Sequence, residues 1–100
     1  MINLTKAQAK LEQGFYVTDE GMSHVILYGD KEFSFNRHIA TSYLPRGNYS
    51  IVKGKLILSS KGNEEFIFEI KDGYLVFISG NLPDGMIQSG TIFRLSSNDD

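Results

Sequence analysis

Two stretches in the second half of the chain share one pattern, in which an alternating run enters a two-residue turn and leaves it as another alternating run. Residues 49–58 read YSIVKGKLIL, and residues 68–77, nineteen positions further on, read FEIKDGYLVF. Lys-Gly or Asp-Gly between alternating apolar residues is a strong signal for a β-hairpin. The repeat therefore predicts two antiparallel hairpins, with a type I′ turn at Asp72-Gly73.

The alternation also predicts which face of these strands is buried, because successive side chains of a strand point to opposite sides. One set of alternate positions is apolar and is expected to face a core: Tyr49, Ile51, Leu56, Leu58, Phe66, Phe68, Ile70, Leu75 and Phe77. The opposite positions include charged side chains such as Lys55, Glu65 and Glu69. One face of the sheet is therefore expected to be buried and the other to meet solvent.

Further short strands are predicted on both sides of these hairpins. They cover residues 15–18, 23–28, 32–35 and 91–95, and turn residues separate them. Together with the hairpins they make about eight strands in an antiparallel meander. Because closure removes exposed strand edges, we expect a mostly β chain whose meander closes into a small barrel over residues 14–95.

One short helix is predicted at the N-terminus, over residues 5–13. Thr5 and Gln8 have the spacing of a capping box, and Gly14 is a typical helix stop. Its apolar stripe is narrow, so the helix is expected to cover a larger core. A chain of 100 residues has the size of one domain, and residues 96–100 read as a polar tail.

Composition argues against several kinds of partner and cofactor. The formal net charge of −2 lacks the basic footprint of a nucleic-acid-binding protein. With no cysteine there are no thiolate ligands, and His24 and His38 lack the spacing of a metal motif, so we predict no metal and no cofactor. The longest apolar run, residues 74–78, has five residues, whereas a membrane-spanning helix needs about 20.

The sequence contains no recognisable catalytic motif. No serine stands in a G-x-S-x-G turn, and the acidic pairs lie beside turns, where carboxylates are usually solvated. We therefore predict that the protein is not an enzyme. A small hydrolase stays as a secondary alternative, and it would require a serine, a histidine and an acid to converge in space.

The polar segment of residues 36–46 is the best candidate for a functional site. It carries side chains of types that favour protein contacts, close to Pro45: Arg37, His38, Tyr43 and Arg46. Loops on a rigid scaffold often hold binding residues, although a long loop can also be a plain connection between strands. The loop predicts a module for protein interaction or sensing.

The twelve aromatic residues bear on whether the barrel is filled or hollow. An eight-stranded barrel can be filled by side chains or can hold one small ligand. The inward-facing positions alone supply enough large rings to fill a small barrel, so we expect a packed interior. A carrier that holds a small apolar ligand inside the barrel is the alternative.

Several short motifs resemble the lipocalin-like domain of Gram-positive bacteria, which occurs in short secreted lipoproteins and as an extracellular appendage of membrane sensor peptidases. The resemblance covers residues 14–95 and rests on Phe33-Ser-Phe35, the segment 42–49 (SYLPRGNY), 55–58 (KLIL), 66–68 (FIF), 73–77 (GYLVF) and 90–93 (GTIF). It implies a β-barrel module of non-catalytic role at the cell envelope and assigns no catalytic residue. No signal peptide is visible at the N-terminus, so export would require a leader outside this sequence.

Overall fold

The computed structural model describes residues 11–41, 43–80 and 87–96, which form a closed antiparallel β-barrel. Each strand pairs with the next one along the chain, and β8 pairs with β1 to close the sheet. The prediction of an eight-stranded antiparallel barrel is confirmed. The strands are β1 (Gly14–Thr18), β2 (His24–Tyr28), β3 (Glu32–Asn36), β4 (Arg46–Val52), β5 (Lys55–Ser60), β6 (Glu65–Lys71), β7 (Tyr74–Gly80) and β8 (Ile92–Leu95).

The predicted helix over residues 5–13 is not supported. Residues 5–10 lie outside the described residues, and residues 11–13 are not helical. Tertiary contacts explain this: Leu11 packs against the core, and the Gln13 side-chain amide donates to the carbonyl of Gly29 at 3.0 Å. None of the described segments forms a helix of the length and apolarity that crossing a membrane requires. Of the predicted polar tail, residues 97–100 also lie outside the described part.

The two predicted hairpins form, but their turns differ. At the β4–β5 turn, Lys53 and Gly54 both have positive φ values of 50° and 80°, which is the signature of a type I′ turn. At the β6–β7 turn, only Gly73 has a positive φ, of 86°. The prediction of a type I′ turn at Asp72-Gly73 is therefore wrong, although its glycine does adopt the left-handed conformation.

Large apolar side chains fill the barrel. The buried core consists of Tyr16, Val25, Leu27, Phe33, Phe35, Tyr49, Leu56, Leu58, Phe66, Phe68, Leu75, Phe77 and Phe93. Phe68 lies at the centre of its aromatic contacts and meets Phe35, Phe77 and Phe93 edge to face, with ring centroids 5.3–5.8 Å apart. The space between the strands is thus occupied by interlocking rings, a favourable arrangement for aromatic side chains.

Two of the nine predicted core positions lie nearer the surface than expected. Ile51 is 37% exposed, and Ile70 is partly buried against the core. Ile51 pairs with the buried Leu56 and so faces inward, but it lies near the end of β4, where the barrel gives less cover. The alternation predicted the face of this residue correctly and its depth wrongly.

The barrel has two ends, which we name after one residue at each. The Gln13 end is where the odd-numbered strands begin, and the two-residue turns Lys53-Gly54 and Asp72-Gly73 lie there. The Tyr43 end is where the odd-numbered strands finish, and it carries the connection between β3 and β4. The predicted functional loop therefore lies at the Tyr43 end.

Candidate functional site

Tyr43 is an exposed aromatic side chain that is fixed at two points. Tyr43 is 47% exposed and lies in the connection that leads into β4. The hydroxyl donates a hydrogen bond to Oε1 of Glu64 at 2.8 Å. The guanidinium carbon of Arg37 lies 5.0 Å from the ring centroid, a cation–π contact. The ring is held at its face and at its hydroxyl while it stays accessible.

The acceptor of this hydrogen bond is itself held by the β5–β6 turn. Ser60, the last residue of β5, donates its hydroxyl to Oε1 of Glu64 at 3.2 Å. The same hydroxyl oxygen accepts hydrogen bonds from the backbone N–H groups of Gly62 and Glu64. Asn63 completes the turn with a φ of 67°, a conformation that asparagine tolerates better than most residues. The turn therefore holds the Glu64 carboxylate within hydrogen-bond distance of the Tyr43 hydroxyl.

Arg37 occupies an unusual position for an arginine. Phe33 and Phe35 point into the barrel, and Arg37 continues that alternation one step beyond the core, where it is only 8% exposed. Its carbonyl oxygen accepts a hydrogen bond of 2.7 Å from the hydroxyl of Ser23. Its side chain acts through Tyr43, so it is a positioning residue for the exposed ring.

Tyr43 and Arg46 share a cleft of about 410 Å³ on the outside of the barrel. The residues that line it are named here the Tyr43 surface: Tyr43, Leu44, Arg46, Lys61 and Gly62. The β4–β5 register brings its two halves together, because the N–H of Lys61 donates to the carbonyl of Arg46 at 2.9 Å. Neither cation forms an ion pair within the part of the chain that the structure describes.

A second cleft, of about 360 Å³, lies on the other side of Arg46 and Lys61. Tyr28, Glu32 and Asn48 line it, and Gly47 is also part of the lining. Gly47 has to be a glycine, since a Cβ there would collide with the carbonyl oxygen of Ser59 on β5. The close approach of β4 to β5 thus places the two cations between two clefts.

His38 lies apart from the other three predicted residues. Its Nδ1 accepts a hydrogen bond from the N–H of Ala40, and its side chain lines a cleft of about 480 Å³ together with Thr18, Glu20, Met22, Ser23, Ile87, Gln88 and Thr91. The structure therefore brings together Arg37, Tyr43 and Arg46 and separates His38 from them.

The surroundings of Tyr43 favour the protonated, neutral form of its side chain. The hydrogen bond to Glu64 raises the pKa of Tyr43 above its usual value, with smaller contributions from partial burial and from the charge of Glu64. The nearby Arg37 cation opposes this shift. Tyr43 therefore keeps its proton at physiological pH, and its hydroxyl acts as a donor.

The two histidines of the described residues have no serine partner and belong to no metal-ligating cluster. His24 stacks on the ring of Phe15 with centroids 4.6 Å apart, and burial lowers its pKa. Neither His24 nor His38 forms a hydrogen bond with a serine hydroxyl among the bonds of residues 11–41, 43–80 and 87–96. Over the same ranges, no three metal-ligating side chains cluster.

Sequence reasoning missed half of this site. Ser60, Lys61, Gly62 and Glu64 were recognisable only as part of a turn, because their relation to Arg46 depends on the β4–β5 register. A signal for Arg37 did exist: it stands two residues after Phe35 and four after Phe33, on the inward alternation. That spacing indicates a buried arginine rather than a solvent-facing one.

Comparisons of the chain with protein-family models, with curated proteins and with solved structures gave no match. The resemblance of residues 14–95 to the lipocalin-like domain therefore stays a prediction. The closed eight-stranded barrel is compatible with it.

Proposed function

We propose that this protein is a non-enzymatic binding module that contacts a partner protein through the Tyr43 surface. The observation that carries the proposal is the restraint of an exposed ring by Arg37 on its face and by Glu64 at its hydroxyl. In line with the resemblance, we place this role at the bacterial cell envelope.

A restrained tyrosine is well suited to binding. Tyrosine and arginine are enriched among the residues that contribute most to protein interfaces. Binding costs free energy when mobile side chains become ordered, and a ring that is already fixed avoids part of that cost. Tyr43 therefore has the properties of an anchor residue at the centre of an interface.

The charge around Tyr43 differs from that of the whole molecule. The chain has a formal net charge of −2, whereas Arg46 and Lys61 lie side by side on the Tyr43 surface. Glu64 is nearby, but its carboxylate accepts hydrogen bonds from Tyr43 and Ser60. An acidic region of a partner complements the two cations and is guided toward them.

The packing of the interior gives less support to a carrier of apolar ligands. Such a carrier needs an internal pocket, and ligand pockets usually measure about 300–1,000 Å³. Here Phe35, Phe68 and Phe93 are fully buried and contact one another inside the barrel. The clefts described above are lined by surface and end residues instead of these rings.

The proposal is tested by recovering a partner from a bacterial extract on the immobilised protein and then titrating the purified partner. Tyr43→Ala is expected to weaken binding about thirtyfold, which is the size of effect typical of an anchor residue. Lys61→Gln should weaken it by a smaller factor. Lys55→Gln is the matched control, since it removes one positive charge from the other end of β5 and should leave affinity unchanged. Equal affinities of wild type and Tyr43→Ala would refute the proposed surface.

A further inference from the structure

The guanidinium of Arg37 has hydrogen-bond donors that find no acceptor in the part of the chain that the structure describes. Arginine carries five N–H donors. None of them donates to a described residue, although Arg37 as a whole residue is only 8% exposed. Nε is fully shielded and has no partner, whereas the Nη groups are not sealed in the same way. The Nη groups are therefore the donors of Arg37 that a ligand can reach.

Within residues 11–41, 43–80 and 87–96, Arg37 forms no ion pair with a carboxylate. The ion pairs between described residues are Lys71–Glu69 and Arg94–Asp19, and both are exposed. Glu64, the carboxylate that lies across the Tyr43 ring, accepts hydrogen bonds from two hydroxyl groups instead. Buried charges and buried donors are nearly always paired, because leaving them unpaired costs stability. A counter-charge from outside the chain would remove that cost.

The geometry determines what kind of group fits. The guanidinium carbon of Arg37 lies 5.0 Å from the Tyr43 ring centroid, so the ring restricts access to the guanidinium from that side. The edge of a guanidinium is a fork that matches two oxygens of a carboxylate or a phosphate. Arg46 and Lys61, on the adjacent Tyr43 surface, add positive charge along the approach.

We infer that Arg37 and Tyr43 form an oxyanion subsite, in which the Nη groups of Arg37 receive a carboxylate or phosphate group beside the Tyr43 ring. The inference rests on the proposed function and deepens it, because it names the chemical group with which the partner is anchored. That group is an acidic side chain, a chain-terminal carboxylate or a phosphorylated residue of the partner.

The first test is an NMR titration of the full chain with sodium acetate and, separately, sodium phosphate at constant ionic strength. Because Nε of Arg37 is shielded from solvent, its N–H proton should exchange slowly enough to give a resolved signal. We expect this signal to shift with saturation in at least one titration and to stay in place with neutral acetamide. The anion that shifts it identifies the source, and no shift with either anion overturns the subsite.

Arg94 provides a matched control for Arg37. It also lies over a tyrosine ring, with its guanidinium carbon 5.7 Å from the centroid of Tyr74, but it is exposed and paired with Asp19. Arg37→Lys keeps the charge and removes the fork, and it should lower the affinity for the active anion about tenfold, measured in both proteins from the backbone amide signal of Tyr43 because the variant lacks the Nε signal. Arg94→Lys should leave that affinity unchanged. Equal losses in the two variants would contradict a specific subsite.

Measurements of partner binding distinguish a failure of this inference from a failure of the proposed function on which it rests. If Tyr43→Ala weakens partner binding and Arg37→Lys does not, the proposed surface stands and the subsite is wrong. If the anion shifts the Arg37 signal but Tyr43→Ala binds the partner normally, the subsite stands and the proposed surface is wrong. If both the proposed surface and the subsite are correct, Tyr43→Ala and Arg37→Lys each weaken partner binding, and Arg37→Lys also weakens anion binding.

Discussion

The two ends of the barrel use tyrosine in opposite ways. At the Gln13 end, Tyr16 and Tyr49 are buried, and each hydroxyl has a partner within the chain. At the Tyr43 end, Tyr43 is exposed, and the buried cation beneath it has no hydrogen bond to a described residue. In the first arrangement the tyrosine hydroxyls have partners within the chain, whereas in the second an exposed ring lies against a cation whose Nε has no described partner.

The contacts at the Gln13 end show how complete that closure is. The hydroxyl of Tyr16 donates to the carbonyl of Glu12 at 2.6 Å. The amide of Gln13 lies 3.0 Å from the hydroxyl of Tyr49 and 3.0 Å from the carbonyl of Gly29. The polar groups that end the core here satisfy one another. The contrast indicates that the unpaired donors of Arg37 are a property of one end and do not reflect loose packing of the whole barrel.

The comparison of the two ends assumes that a solid core lies between them. Phe68→Ala tests this assumption and should have the largest effect on stability. Removing a ring that contacts Phe35, Phe77 and Phe93 should lower the free energy of unfolding by about 3–5 kcal/mol. Ile67→Ala, at the neighbouring outward-facing position, is the control and should cost about 1 kcal/mol. Chemical denaturation measures both. Similar small losses would indicate a loosely filled interior.

The turns at the two ends should differ in their need for glycine. Gly73, at the Gln13 end, has a φ of 86°, which valine adopts only with strain, so Gly73→Val should cost about 2 kcal/mol. Gly62, at the Tyr43 end, has no positive φ, and an added Cβ would find the Tyr43 hydroxyl at 3.4 Å. Gly62→Val should therefore cost less stability. Thermal unfolding compares the variants, and equal melting temperatures would contradict the difference.

Tyr16 should make the Gln13 end sensitive to alkali. Burial, together with the charge of Glu12 and the neighbouring Tyr49, raises the pKa of Tyr16 from 10.0 to about 12. Because the folded pKa lies above the unfolded value, the stabilising contribution is complete below pH 10.0 and is lost as the pH rises through about 12. Tyr16→Phe should cost about 1 kcal/mol at pH 8 through the lost hydrogen bond. The deficit should shrink at pH 11; urea unfolding with an equal deficit at both pH values would argue against a buried neutral tyrosine.

Arg37→Met should have the smallest effect on stability, with the opposite sign. Replacing a buried unpaired cation by an apolar side chain of similar length is often neutral or stabilising, so we expect a gain of up to about 1 kcal/mol. Arg94→Met, which removes an exposed cation, should change stability by less than about 0.5 kcal/mol. A clear loss in Arg37→Met, as large as that of Tyr16→Phe, would show that Arg37 stabilises its end in the way that Tyr16 does.

Much of the barrel could be predicted from the sequence because strand alternation and turn residues are local signals. Phe66 and Phe68 were placed in the core by their spacing alone, and the β4–β5 hairpin by Lys53-Gly54. Depth is not local, which is why Ile51 was assigned to the core although it lies near the end of its strand. The predicted helix over residues 5–13 shows the same limit at 11–13, where the contacts of Leu11 and Gln13 with distant residues decide the backbone.

The candidate site could be predicted only in part, since it combines two distant segments. The loop contributed Tyr43 and Arg46, which were recognised by residue type. Lys61 and Glu64 join them through the pairing of β4 with β5, whose register is set by the turn Lys53-Gly54 and not by any residue type within the two segments. His38 shows the converse, because sequence neighbours need not share a surface.

The pairing of β1 with β8 has a consequence for how the barrel is presented. Tyr16 pairs with Leu95, and the N–H of Ser96 donates to the carbonyl of Phe15, so the chain enters and leaves the barrel side by side at the Gln13 end. A tether, a fused domain or a solid support joined close to residue 11 or residue 96 would therefore hold the molecule by the end that carries the paired tyrosines. The opposite end, with Tyr43 and Arg46, would then point away from the attachment and be free to meet other molecules.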